Sequence, residues 1–378
     1  SNQAKRMGIE IINIQAFPLQ IPLNIPFGQA GNTAIHSASV ILKLTSAVGV
    51  TGYGECCPRP YVTGEDIGSV LKDLQGLESC KKLLCFETLA DIQKWMLKEA
   101  PLKFGQATLC AIEMALLDVW SRVYAEPLVS LLGGQEKETY AYTGVIPYGN
   151  IQKMRYLLEM FHFQQIKIKV NDHLQDNLNR IEKIKSIFGE DVGIQVDVNG
   201  GWDLQQACFQ VPELIRVGVS CIEQPFPPDK DEQMGWLTWK YGSQVDIMAD
   251  ESVCTYTQAT FLLENAFCNR LNLKLSKHGG IFHTLKIAQA AKKQGVAIQL
   301  GAHIGETSLL TLAGMLFSSL WGDCLSMEGG MGTYLLKSDV LDTPVMVDRE
   351  GKIRKSDFSN GLGWGKVLDH RLEGIPLS

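Results

Sequence analysis

Five short motifs carry most of the chemistry that this 378-residue chain could perform. They are Lys167-Ile-Lys169, Asp197-Val-Asn199, Glu223-Gln-Pro225, Asp250-Glu251-Ser252, and Asn272-Leu-Lys274-Leu-Ser-Lys277-His-Gly-Gly. Each closes a short apolar run that reads as a β-strand. Alternation along a strand puts the ammonium groups of Lys167 and Lys169 on one side. Three acids at successive strand ends can converge on one point, and an all-oxygen donor set suits a hard octahedral cation such as Mg²⁺, with Mn²⁺ as the alternative. An ammonium beside such a cation and a second ammonium has its pKa drawn toward the range of a general base. Cation plus lysine is what removal of a proton next to a carboxylate requires: the metal stabilises the developing enediolate while an amine takes the proton. Any one of these motifs alone reads as an ordinary solvated strand end or loop. Their conjunction, in chain order, carries the argument.

The elements that must position them form a regular series. After Gly134, apolar strands at Thr139–Ile146, Ile166–Val170, Gly193–Val198, Val219–Glu223, Asp246–Ala249, Arg270–Leu275, Ala297–Leu300 and Cys324–Met327 alternate with helical stretches. This predicts an α/β fold, a modified (β/α)-barrel of the TIM type, whose site is assembled at the C-terminal strand ends. Strands two and six of eight lie across the ring from one another, so their lysines can face each other. A doubly wound sheet would need a glycine fingerprint in its first βα turn, and none is present. Before the barrel, strands at Ile9–Ile21, Ala38–Thr45 and Gly49–Glu55 precede a helical region from Ile67 to Leu132. The expected domains are an α+β cap over 1–134, the barrel over 135–333, and a return segment over 334–378 that packs on both.

Composition narrows the function classes. Apolar residues make up 45 %, charged residues 20 %, and the formal net charge is −6. Without a Lys/Arg run, neither nucleic acid nor an anionic membrane is an expected partner. No segment has the ~18–20 apolar residues of a membrane span. Ten scattered cysteines read as reduced thiols of a cytoplasmic protein. The polar stretch Ser1 to Met7 lacks an apolar signal core and reads as an expression remnant.

With these motifs in place, the chain resembles the enolase superfamily, specifically its muconate lactonizing enzyme subgroup within the mandelate racemase/muconate lactonizing enzyme family. The likeness extends to Gly54-Glu55, Tyr61-Val-Thr-Gly-Glu65, the helix from Ala107 to Asp118, and Leu132-Gly-Gly. It implies metal binding by Asp197, Glu223 and Asp250. It also implies acid/base roles for Lys169 and Lys274, with Lys167 tuning Lys169 and contacting the substrate carboxylate. Asn199 and Glu251 would support them, and Lys277 would neutralise a neighbouring carboxylate. A mandelate racemase-like site would place an Asp where Lys274 stands, paired with a His. His303, in Gly301-Ala-His-Ile-Gly-Glu306-Thr, is therefore expected to line the pocket, with Glu306 beside it. Substrate choice in the subgroup lies in two mobile cap loops, here carrying Phe27 and Tyr61 with Gly28, Gly31 and Gly64, and in the eighth strand end. Dipeptide epimerases carry Asp-x-Asp there, whereas this chain has Ser326-Met-Glu328. Glu328 is left open between meeting a cation and serving structure.

The resemblance implies abstraction of the proton alpha to the carboxylate of a small molecule, with racemisation or epimerisation of a dipeptide or N-acyl amino acid foremost. A muconate-type cycloisomerase or o-succinylbenzoate synthase comes second. A noncatalytic barrel that binds metal and carboxylate is the alternative from another class. A homo-oligomer is an open expectation.

Overall fold

The computed structural model describes residues 8–29, 32–147, 155, 158–322, 324–355 and 361–372. The stretch read as an expression remnant and Gly31 of the first cap loop fall outside them.

The cap is built on a four-stranded sheet ordered β5-β4-β1-β6, from β1 (Ile9–Leu19), β4 (Ser39–Ser46), β5 (Thr51–Cys56) and β6 (Cys85–Phe86). A separate hairpin, β2 (Pro22–Gln29) with β3 (Asn32–His36), carries Phe27. The three strands expected before the helical region thus gain an edge strand and a hairpin. Three helices, α1 (Ile67–Ser79), α2 (Leu89–Lys98) and α3 (Gln106–Tyr124), follow the sheet, and a short α4 (Leu128–Leu131) leads to the barrel. Helix α3 is apolar around most of its circumference and is buried from Ala107 to Ser121. It lies close against β5 because Gly52 and Gly54 present no side chain to it. A Cβ on Gly54 would overlap the Ala111 carbonyl oxygen.

The barrel contains eight strands in chain order: β8 (Gly144–Ile146), β9 (Gln165–Lys169), β10 (Gly193–Asp197), β11 (Val219–Glu223), β12 (Asp246–Ala249), β13 (Arg270–Leu273), β14 (Ala297–Leu300) and β15 (Cys324–Met327). All their pairings are parallel. The ring closes where Tyr142 bridges Met327 and the Thr143 N–H donates to the Met327 carbonyl at 2.7 Å. The segment expected as one first strand is therefore split. Its leading part, β7 (Thr139–Ala141), leaves the ring to pair antiparallel with β16 (Lys352–Arg354). Amphipathic helices cover the outside: α6 (Leu204–Arg216), for example, buries Ala207, Gln210, Val211 and Leu214 at helical spacing. The C-terminal segment returns to the cap, where the Trp364 indole N–H donates to the Met114 carbonyl and the Tyr53 hydroxyl donates to Asp369.

Buried carboxylates join cap to barrel by accepting from helix N-termini. Glu55 accepts from the Thr307 and Leu310 amides at the start of α11 (Ser308–Trp321). Glu113, on α3, accepts from Ile281 and Phe282 at the start of α10 (Ile281–Lys293). Burial raises the Glu113 carboxyl from 4.5 to about 8 against the pull of those two donors. The folded protein thus binds this proton more tightly than the unfolded chain. The resulting stability is lost as pH rises from about 4.5 toward about 8. Urea denaturation at pH 5 and pH 8 should show this loss, and Glu113→Gln, which cannot titrate, should reduce it. An unchanged pH slope in the variant would remove Glu113 from the linkage.

Candidate active site

Strand parity sets the site. In β9 the residues at 166 and 168 are isoleucines facing outward, which turns Lys167 and Lys169 into the barrel. Register then aligns Lys169 with Asp197 and Asp197 with Glu223, so an ammonium and two carboxylates stand side by side at the rim. The Lys169 ammonium lies 2.5 Å from Asp197 Oδ2 and donates to Asn199 Oδ1 at 3.1 Å. Asn199 passes the contact on, its amide donating to Glu251 Oε1 at 3.1 Å. Asp197 is held below its ordinary range: burial opposes ionisation, but Lys169 and then Lys167 outweigh it.

Lys274 follows β13 and places its ammonium 2.8 Å from Asp250 Oδ2. Lys277, fully buried on the short helix α9 (Leu275–His278), donates to Asp250 Oδ1 at 2.7 Å and to the carbonyls of Asp250 and Asn272. Asp250 therefore sits well below the usual carboxylate range: burial opposes, and Lys274 and Lys277 prevail. The expected depression of a lysine pKa concerns a cation-loaded site; among its protein neighbours alone, Lys274 shifts upward. Burial lowers it, but Asp250 and then Glu223 raise it further, because carboxylates lie nearer than any second ammonium. Glu223 is pushed up to about 8 by burial and then by Asp197, and Glu251 to about 7 by burial and then by Asp250.

Gln224 emerges from the structure as a brace between two strand ends. It is buried and left-handed, with φ at 42°. Its side-chain oxygen accepts from the Asp250 and Ser252 amides at 2.9 and 3.2 Å. Its amide nitrogen donates to the Ser252 hydroxyl and the Phe226 carbonyl at 2.7 and 2.8 Å. This single side chain fixes the spacing between Glu223 and Asp250. Its sequence signal was its place inside the Glu-Gln-Pro motif.

Below the rim runs a second polar row. The Lys167 ammonium lies 2.9 Å from Glu223 Oε2 and 2.7 Å from Glu328 Oε2. Asn272 donates to Glu223 Oε1 at 2.6 Å, Gln299 donates to Glu328 Oε1 at 2.8 Å, and Ser326 donates to Gln299. Gly301 leaves the room that the Asn272 carboxamide oxygen occupies. Glu328 is therefore an internal partner of Lys167.

Phe27, Tyr61, Val62, His303 and Ile304 roof the cup. Phe27 is buried, while Tyr61 is 55 % exposed on the loop after β5. Arg59 ties that loop to the barrel, donating to the Ala38, Pro58 and Ile304 carbonyls at 2.6–2.8 Å. His303 is kept neutral, first by burial and then by Lys274 and Arg59. Glu306 borders the adjoining cavity.

Among the described residues, no three His, Cys, Asp or Glu side chains are grouped around one point as ligands. Instead, Asp197, Glu223 and Asp250 are each engaged by a lysine. Their chemistry nonetheless fits a hard divalent cation. They are oxygen donors on three adjacent strands, and they repel one another. Glu223 Oε2 and Glu251 Oε2 are buried without an aligned hydrogen bond.

Replacing Gln224 by Ala would leave the Asp250 and Ser252 amides without their acceptor. The expected loss is about 2–4 kcal/mol in urea denaturation. A loss below about 1 kcal/mol would mean that water replaces the brace.

The sequence matches two family models: the mandelate racemase/muconate lactonizing enzyme N-terminal domain over residues 11–133, and the enolase C-terminal domain-like model over residues 151–371. It is 30 % identical to the L-Ala-D/L-Glu epimerase of Bacillus subtilis, over 80 % of this chain and 82 % of that protein. It is 26 % identical to the N-succinyl-L-Arg/Lys racemase of Bacillus cereus, over 81 % and 83 %. The fold superposes on the muconate lactonizing enzyme of Pseudomonas fluorescens, solved with muconolactone, with a TM-score of 0.85 at 25 % identity. That match covers 96 % of this chain and 98 % of the other.

Proposed function

The chain belongs to the mandelate racemase/muconate lactonizing enzyme family of the enolase superfamily and is an isomerase, and on that premise we propose that it racemises or epimerises an amino-acid derivative through its α-carbon. The observation that carries this reading is the flanking of three rim acids by Lys169 from strand two and Lys274 from strand six.

In this reading Asp197, Glu223 and Asp250 hold Mg²⁺, or Mn²⁺ in its place. The bound cation supplies positive charge to a substrate carboxylate that becomes doubly negative. One lysine takes the α-proton, and the electron pair of the broken C–H bond moves into the carboxylate to give an enediolate. The other lysine, still protonated, delivers its proton to the opposite face and inverts the centre. Lys167 stays with Glu223 and Glu328 beneath the rim and orients the carboxylate end. Phe27 and the Tyr61 loop exclude water from the enediolate. The division into a cap over 1–134, a barrel over 135–333 and a return segment belongs to the same reading.

A cycloisomerase is the second reading, favoured by the similarity to the muconate lactonizing enzyme. There one lysine moves the proton and the other contributes charge.

Two experiments test the assignment. Asp197→Asn, Glu223→Gln and Asp250→Asn should each weaken Mg²⁺ binding in calorimetry at least about tenfold, since each removes a charged oxygen donor. Unchanged affinity in all three would sink the metal site. In deuterated water, Lys169→Ala should abolish α-proton exchange from one enantiomer and spare part of the exchange from the other, with Lys274→Ala showing the mirror pattern. A uniform slowing of both hands would favour the cycloisomerase, and full exchange in both variants would refute the two-lysine mechanism.

A further inference from the structure

Beyond the lysines, the cup continues toward the first, seventh and eighth strand ends. There it forms a cavity of about 80 Å³ walled by Phe27, Val145, Ala302, Ile304, Met331 and Leu335. The glycines of the eighth strand end, Gly329 and Gly330, also line it and add no charge.

The acids at this cavity are not open to a cation. Glu328 has a side chain only 3 % exposed. One of its oxygens lies 2.7 Å from the Lys167 ammonium, and the other accepts from Gln299 at 2.8 Å and Asn272 at 3.4 Å. Turning it toward a second ammonium would cost Lys167 one of its two carboxylate partners. Glu306 has a backbone contact, to His303, that favours its charged form. Burial and then Glu55 raise its carboxyl to about 8, so at neutral pH it is mostly an uncharged acid. Of the charges that act on Glu306, Glu55 is negative and Lys274 and Arg59 are positive, and Lys167 stands at the adjoining cup. Polar groups are available without charge, neutral His303 among them. The Thr143 hydroxyl is buried, lines the cavity and has no hydrogen-bond partner among the described residues.

A free ammonium entering here would meet like charge and no open carboxylate. An amide and a hydrocarbon chain would meet a hydroxyl, a neutral carboxyl and apolar walls. We propose that the substrate is an N-acyl amino acid whose acyl group is short, uncharged and apolar, and that a dipeptide bearing a free α-ammonium is disfavoured at this site. The proposal rests on the racemase or epimerase reading above and names the substrate class of that site.

Matched pairs isolate the ammonium. N-propionyl and L-alanyl derivatives of leucine, phenylalanine, methionine, glutamate and arginine differ only by that group. Both hands of the reacting residue are supplied with Mg²⁺, and two quantities are measured: α-proton exchange in deuterated water, and binding by calorimetry. In the pairs the enzyme accepts, the propionyl member should be favoured about a hundredfold in kcat/KM and should bind more tightly. Equal or faster exchange of the alanyl member would overturn the acyl proposal and leave the reaction standing. Tighter binding of propionyl members with no exchange in any pair would uphold the cavity's preference and overturn the reaction. Absence of both exchange and binding across the panel would overturn both.

Discussion

Lys167 and Lys169 enter the barrel because a β-strand turns alternate side chains to the same face, and the rest of the site depends on that parity holding in register around the ring. Asp197 stands beside Lys169, and Glu223 beside Asp197, only because β9, β10 and β11 pair without a slip at their ends. A one-residue shift of β9 would face its isoleucines inward and expel both ammonium groups. The irregularity between β10 and β11 falls at Ile194, below the functional end, so the rim is spared.

Charge buried in this way has to be balanced in place. Four lysines and five acids share the upper barrel, and each ammonium described lies within 3 Å of a carboxylate. Removing one member of such a set leaves its partner buried and unpaired, which costs far more than the pair contributes to stability. Neutral side chains fix the acids where ions alone would not. Gln224 locks β11 to β12, Asn272 steadies Glu223, and Asn199 links Lys169 to Glu251. The cap uses the same economy differently. Glu55 and Glu113 meet helix N-termini instead of lysines, so the joint between cap and barrel is made of hydrogen bonds from backbone amides to buried carboxyl groups.

Much of this was legible in the sequence for a physical reason. Parallel barrel strands are buried on both faces, so Ile247 to Ala249 stands out as an apolar run, and an acid at the end of such a run has few bland explanations. The split of Thr139–Ile146 was not legible. Its pattern is continuous, and what divides it, pairing with Lys352–Arg354 and the bridge to Met327, comes from residues far along the chain. The state of Glu328 was equally hidden, because only geometry across three strands shows that Lys167 and Gln299 hold it. Glu113 and Asp118 did leave a signal, as acids inside the apolar run of α3. Their partners at Ile281 and Trp364 could not be inferred from it.

The ring is also unevenly made. From β9 to β13 its strands are joined by parallel ladders and their ends carry the ionic chemistry. The seam between β15 and β8 is held by the Tyr142–Met327 bridge and the Thr143 amide, and apolar residues and glycines crowd its mouth. Changes on that side alter the shape of the cavity without touching an ion pair of the β9–β12 rim. On the proposed function the molecule divides into a fixed reaction half and an adjustable recognition half, and directed evolution aimed at new substrates would find its freedom along the seam.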